Sequence, residues 1–297
     1  MFTKKYGKTI KMFLMDAEPN GRMICELSNW TGKAYRIPRN RVKDCSSRPE
    51  LKGTAVYLLF GKPESNDGKL LVYIGEAENI YNRLVQHVSE KDYWNEAVVF
   101  ISKDENLNKA HIKYLESRLY EAAVLANRYE IKNSLTPTKS SISENDQAEM
   151  EEFAEYIKML INVMGFKVFE PIHSNQAKDN KEDNFLFINA ARGANAKGQR
   201  TSDGFVVLGG SEIAMLTAAS LPNGIAKLRQ ALIDGEIVLE TNNKLTFKDD
   251  YLFNSPSAAA AVVMGRSANG LLEWKDKSGK TLKDIEYNEI AKANVRP

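Results

Sequence analysis

Among the titratable side chains of this 297-residue chain, Glu116 is the one whose position most demands a partner. A helical pattern runs from about Asn108 to Asn127, and a step of about 100° per residue sets Glu116 between Ile112, Leu119, Tyr120 and Ala123, the side expected to face a core. A lone buried carboxylate is costly unless it meets a cation, a metal or a hydrogen-bond donor. Rim pairing with Arg83 or a lysine would satisfy it too, and helix geometry alone does not choose. Arg83 and His87 lie four apart on a shorter helical segment, so both rise from one face beside Ile80 and Leu84. A forked guanidinium there suits a phosphate oxygen, although a solvated helix arginine is commoner. Tyr57 and Tyr73 occupy two candidate strands, where an aromatic residue is ordinarily core.

The elements that must position these residues follow from the apolar pattern. Residues 8–38 alternate as a small β element with a turn at Pro19-Asn20-Gly21. Thr54 to Phe60 is a nearly continuous apolar strand of the buried kind, Gly61–Lys69 a polar loop, and Leu70 to Gly75 a second strand. Asn79 caps a helix to about Val88, and Ala97 to Ile101 is a third strand. With the helix of Glu116 these make a strand-strand-helix-strand-helix unit, which Thr136-Pro137 ends. A helix from about Asp146 to Met164 carries a Met150, Phe153, Ile157, Leu160 stripe, best explained as core. His173–Asn184 is a polar linker.

In the order Val56-Tyr57, Tyr73-Ile74-Gly75, Arg83, His87, Glu116 and Asn133, the segment resembles the GIY-YIG nucleases. The resemblance covers roughly residues 51–135 and implies a small mixed or antiparallel sheet flanked by helices, with metal-dependent hydrolysis of a phosphodiester. It implies that Glu116 holds one divalent cation, Mg2+ or another such as Mn2+, whose oxygen preference suits a carboxylate with waters and a substrate phosphate. It further implies that Arg83 neutralises a non-bridging oxygen and that Tyr57 takes a proton from the attacking water. Tyr73 and His87 would position or relay, Asn133 would orient a neighbour, and the products would carry a 5′-phosphate and a 3′-hydroxyl. A phenol with a reference pKa near ~10 needs nearby cations to act so.

The departures from the family pattern are local. Ala55 stands where the first motif has its leading glycine, and the Gly61–Lys69 loop is longer than in minimal members. Tyr93 and Trp94 occupy the region where some members carry a second histidine, which leaves the proton-transfer role of His87 open.

Towards the C-terminus, short strands and helices are expected from Phe185 onward, with a helix near Ala226–Asp234 and a strand pair about Asn242-Asn243. A further helix is capped by Ser255-Pro256 and ended by Gly265, and an Asn269-Gly270 hairpin leads into Leu271–Trp274. This part resembles a domain of unassigned function fused to such nucleases, and modules associated with restriction enzymes and adenine methylases. Around the hairpin, Arg266, Lys275 and Lys280, with Lys277, could face a nucleic-acid backbone and Trp274 could stack on a base, or Trp274 could be core.

The organisation expected is therefore an α+β protein: an N-terminal β-rich extension over 1–50, the nuclease-like domain over 51–135, a linker and helix over 136–184, and an α+β domain over 185–297 that helps choose the target. The formal charge of +2 does not by itself announce a polyanion partner, but Lys4, Lys5, Lys8, Lys11, Arg22, Lys33, Arg36, Arg39 and Arg41 crowd the first fifty residues. Cys25 and Cys45 form no C-x-x-C pair, and His87, His111 and His173 are not at zinc-ligand spacing, which argues against a structural zinc or a disulfide framework. With no signal peptide and no apolar run of ~20 residues, a cytoplasmic protein without a membrane partner is expected. The function expected is a metal-dependent endonuclease acting on double-stranded DNA, in restriction, defence or DNA processing, with single-stranded DNA or RNA as open substrates. The competing expectation is a nucleic-acid-binding or regulatory protein that keeps the fold with little cleavage. Oligomeric state is not legible.

Overall fold

An apolar run without polar alternation has to be buried on both faces, and residues 55–61 are, in the middle of a sheet. The computed structural model describes residues 6–63, 69–171 and 185–293 and divides the chain into two units, Met1–Pro171 and Ile172–Pro297. In chain order the first contains β1 (Ile10–Leu14), β2 (Met23–Leu27), β3 (Gly32–Pro38), two 3-10 turns (Arg39–Cys45 and Pro49–Lys52), β4 (Ala55–Gly61), β5 (Leu71–Ala77), α1 (Ile80–Glu90), β6 (Trp94–Ser102), α2 (Lys109–Ala126), β7 (Glu130–Ile131) and α3 (Glu144–Val163). Among the described residues its sheet has seven strands in the order β1-β2-β3-β6-β4-β5-β7, antiparallel except for the parallel β5–β7 pair. The architecture is α+β.

Strand alternation divides the core between the two faces. Val56, Leu58, Phe60, Val72 and Ile74 pack with Ile112, Leu115 and Leu119 of α2 and with Phe153 and Ile157 of α3. Tyr57 and Leu59 pack on the other face with Ile80 and Leu84 of α1 and with Val42 and Leu51 of the 3-10 turns. Asn79 caps α1 by accepting from the Asn82 N–H, and Asn108 caps α2 through Ala110 and His111, so each helix begins where the polar-to-apolar switch places it.

One expected boundary gives way. The described part of the expected N-terminal extension is not separate, because β3 pairs with β6 from Gly32 opposite Ser102 to Pro38 opposite Glu96 and so continues the same sheet. The helix expected within 136–184 forms as α3, and its stripe closes one face of the core, with the Phe153 ring centre 4.7 Å from that of Trp30, so this helix belongs to the first unit. The linker expected at His173–Asn184 lies outside the described residues. Cys25 and Cys45 are free and buried.

The second unit contains β8 (Leu186–Ala190), β9 (Ala194–Thr201), β10 (Gly204–Val207), β11 (Glu212–Ile213), α4 (Asn223–Asp234), β12 (Val238–Thr241), β13 (Lys244–Phe247), β14 (Tyr251–Phe253), α5 (Pro256–Met264), α6 (Gly270–Glu273) and α7 (Leu282–Ala293). Its strands run β12-β13-β11-β9-β10-β14, with β8 also on β9. Asn242 and Asn243, both at positive φ, turn β12 into β13, and Ser255 caps α5 as expected. The Asn269-Gly270 hairpin is corrected: Asn269 accepts from the Leu271 N–H and starts α6. Gly270 is there because a Cβ would sit 2.2 Å from the Pro256 carbonyl, a close approach of backbones that sequence cannot tell from a turn. Among the described residues no helix is long and apolar enough to cross a membrane.

Candidate functional site

Three of the residues singled out from the sequence meet at one atom, the Tyr57 hydroxyl. It lies 2.7 Å from His87 Nε2 and accepts from Arg83 Nε at 3.3 Å. The register of β4 on β5 sets Tyr57 opposite Gly75, and Tyr73, two residues earlier on the same face, lies with its ring centre 6.1 Å from that of Tyr57 and 5.3 Å from that of His87. Gly75 makes this approach possible. A Cβ there would fall 2.5 Å from the Tyr57 hydroxyl and 2.8 Å from Tyr73 Cε1, so the glycine of Tyr-Ile-Gly is the space into which both phenols fit.

Accessibility divides the group. Tyr57 and His87 have no exposed surface, whereas Tyr73 and Arg83 are half-buried. Burial, joined by the charge of Tyr73, pushes the Tyr57 phenol far above its ordinary range despite Arg83. Burial and the charges of Arg83 and Lys91 hold His87 down at about 4, so it is neutral near pH 7, and its Nδ1 has no hydrogen-bond partner among the described residues. Tyr57 thus has no exposed surface from which to meet an attacking water, whereas Tyr73 keeps part of its surface open. Arg83 is braced by Tyr57 and by Gln86, to which Nη1 donates at 2.7 Å, and has no carboxylate partner among the described residues.

Asn133 works on the sheet edge. Its side-chain amide accepts from Ile74 N at 3.0 Å and donates to Ile74 O at 2.7 Å, continuing the ladder that β7 makes with Leu71 and Val72. Beyond Ile74, β5 has no strand on its outer side among the described residues. This edge is where the two faces of the sheet meet: Tyr57, Tyr73 and α1 on one, Glu116 of α2 on the other.

Glu116 is half-buried and has no hydrogen bond or ion pair among the described residues. Burial and the neighbouring Glu76 raise its carboxyl to about 7, against the pull of Lys109, Lys113 and Arg83. The rim pairing with Arg83 is not formed among the described residues. Glu76, directly after Gly75, binds Lys109 at 2.9 Å, and Lys109 also meets Glu78 at 3.4 Å. Sequence reasoning missed this pair, although Lys109 stands two helical turns before Glu116 and on its face, a legible spacing. Among the described residues no three His, Cys, Asp or Glu side chains group as a metal site. What is present fits a hard cation held by one carboxylate and completed by water and substrate oxygens, since an under-compensated carboxylate is what such an ion neutralises.

The basic N-terminal stretch is largely neutralised within the fold. Arg22 pairs with Asp16 at 2.6 Å, Arg41 with Asp44 at 3.2 Å, Lys33 with Glu50 at 3.8 Å, and Arg36 with Glu96. Arg39 instead donates to the backbone carbonyls of Lys91 and Val88 at the end of α1, with its guanidinium 4.7 Å from the Trp94 ring centre. Lys4 and Lys5 lie outside the described residues.

In the second unit Trp274 is fully buried, packs on Phe205 at 4.5 Å between ring centres, and donates from Nε1 to the Pro256 carbonyl at 3.0 Å. Stacking on a base is therefore corrected to the core role. Arg266 is paired with Glu273 at 2.8 Å, while Lys275 and Lys280 are exposed.

Residues 186–286 match a family described as a domain of unknown function (DUF4357), which covers most of the second unit. No curated protein and no solved structure matches the chain.

Proposed function

We propose that the first unit is a metal-dependent endonuclease of the GIY-YIG type that hydrolyses phosphodiester bonds of DNA. The observation that carries this reading is the convergence of Tyr57, His87, Tyr73 and Arg83 around Gly75, with a half-buried Glu116 carboxylate that makes no hydrogen bond or ion pair among the described residues. Each group then has a task that its surroundings allow. Arg83, held from behind by Tyr57 and Gln86, keeps its remaining N–H donors for a non-bridging phosphate oxygen, where preorganised charge counts for more than in water. Tyr73 positions the attacking water from the accessible side. Tyr57 and His87 fix the orientation of Arg83 and Tyr73 without touching substrate, and Asn133 holds the β5 edge at Ile74. Glu116 would hold the divalent cation, which when bound polarises the scissile phosphate and stabilises the leaving oxygen.

The test is to incubate the full chain with plasmid, single-stranded DNA and RNA, with Mg2+ or with a chelator, beside Glu116→Ala. Metal-dependent new ends from duplex DNA, lost in the variant, are expected. Cutting that survives both chelation and the substitution overturns the assignment. One observation favours a second reading, a protein that binds nucleic acid without cutting it: the family's first tyrosine is closed off from solvent here. Salt-sensitive DNA retention with no new ends under any divalent metal would decide for it. DUF4357 in the second unit is taken as the part that influences target choice, through Lys275 and Lys280 rather than Trp274.

A further inference from the structure

Lys91 directly follows α1 as its C-cap, and its ammonium lies on the face of Tyr73, 4.7 Å from the ring centre, and 6.0 Å from the ring centre of Tyr93. No carboxylate is within ion-pair distance of it among the described residues. Its sequence neighbours are accounted for elsewhere: Glu90 accepts from Gln86 at 2.8 Å, and Asp92 is exposed. A helix C-terminus favours a cation, which explains a positive charge at this position but not its seat on the ring that the proposed site exposes. Arg39 pins the backbone beneath it by donating to the Lys91 and Val88 carbonyls, and brings a further charge that no carboxylate neutralises among the described residues.

The result is two cations on the tyrosine pair beside α1. Arg83 donates to the Tyr57 hydroxyl and Lys91 lies on the Tyr73 ring, with the two phenol rings 6.1 Å apart. Both cations bear on His87, the buried residue behind the rings. Arg83 lies within α1 and Lys91 just past its end, a backbone rise of about 12 Å, and one DNA strand presents a phosphate about every 3.4 Å of its axis, so the two cations can meet different phosphates.

We propose that Lys91 forms a second phosphate subsite, which takes a neighbouring phosphate of the strand whose scissile phosphate sits on Arg83. The inference rests on the nuclease reading and specifies how its substrate is laid down: along α1, across the exposed edge of Tyr73. Tyr93, whose buried hydroxyl has no hydrogen-bond partner among the described residues, lies further from the ammonium than Tyr73, at the longer distance of 6.0 Å to its ring centre.

The experiment measures binding without chemistry. A fluorescein-labelled DNA duplex is titrated with the full chain in a chelator over a series of KCl concentrations, using wild type, Arg83→Met, Lys91→Met, Lys91→Arg and the double Met variant. Methionine keeps an apolar stem on the rings, so packing is preserved. Each lost phosphate contact should make the slope of log K against log salt shallower by about 0.9, the two losses should add, and Lys91→Arg should restore the slope. Lys158→Met on α3, where the lysine pairs with Glu155, should leave it unchanged. A Lys91→Met slope equal to wild type while Arg83→Met falls overturns the subsite and leaves the nuclease reading intact. A reduced Lys91→Met slope in a protein that never cuts keeps the subsite and removes the nuclease. No salt-sensitive binding by wild type overturns both.

Discussion

The hydroxyl of Tyr57 lies 2.7 Å from Nε2 of His87, and neither side chain has exposed surface. Breaking this contact leaves a buried imidazole nitrogen without a partner. Tyr57→Phe is therefore expected to lower stability by ~1–3 kcal/mol and to loosen Arg83, so that cleavage falls as well. Denaturant titration beside a cleavage assay checks this; a variant as stable as wild type would show that the contact does not form in solution.

Gly75 is the tightest point of the site. Gly75→Ala drives a methyl group into the Tyr57 hydroxyl and the Tyr73 ring, an overpacking worth ~1–3 kcal/mol. Tyr57→Phe combined with Gly75→Ala should recover part of that stability, because removing the hydroxyl removes the nearest clash. A strictly additive double variant would refute the steric explanation.

His87 ties stability to acid. Its folded pKa of about 4 lies below the ordinary value, so the stability it contributes is complete above pH ~6.5 and is lost as pH falls through 4, by about 3 kcal/mol in all. Unfolding curves of wild type and His87→Asn should therefore converge on acidification through that window. A gap that stays constant or widens would mean that the imidazole is not buried neutral.

Glu116 has the opposite sign. Its folded pKa, raised to about 7, means that its contribution is complete below pH ~4.5 and is lost as pH rises through 7. Glu116→Gln should be at least as stable as wild type at pH 8 without metal, yet lose cleavage by ~100-fold or more. Added Mg2+ should raise the melting temperature of wild type only. An equal rise in both proteins would move the ion elsewhere.

Trp274 is a core residue of the second unit, so Trp274→Ala should destabilise that unit by ~3–5 kcal/mol. Trp274→Phe should leave DNA retention unchanged. A selective loss of DNA binding in the folded Phe variant would restore the surface role.

Much of the candidate site was legible because its spacing is local. Tyr-Ile-Gly, the one-turn interval from Arg83 to His87 and the inward phase of Glu116 are properties of single strands and helices, and each element formed where its pattern placed it. Lys91 and Arg39 were not legible as site residues: one stands beyond the end of its helix, and the other reaches it from a 3-10 turn some fifty positions earlier. The glycine of Asn269-Gly270 misled for a related reason, since a turn and a helix-to-helix contact make the same demand for a residue without a side chain.

The amino-acid order alone determined the strands and helices that carry the candidate site and which side chains they present, because periodicity and capping act over a few neighbouring residues. Tertiary structure decided that β3 joins the sheet, that Trp274 is enclosed, and that Tyr73 rather than Tyr57 is open to solvent. Those outcomes depend on which strand pairs with which and on what covers each face, and burial of that kind is a sum over residues far apart in the chain.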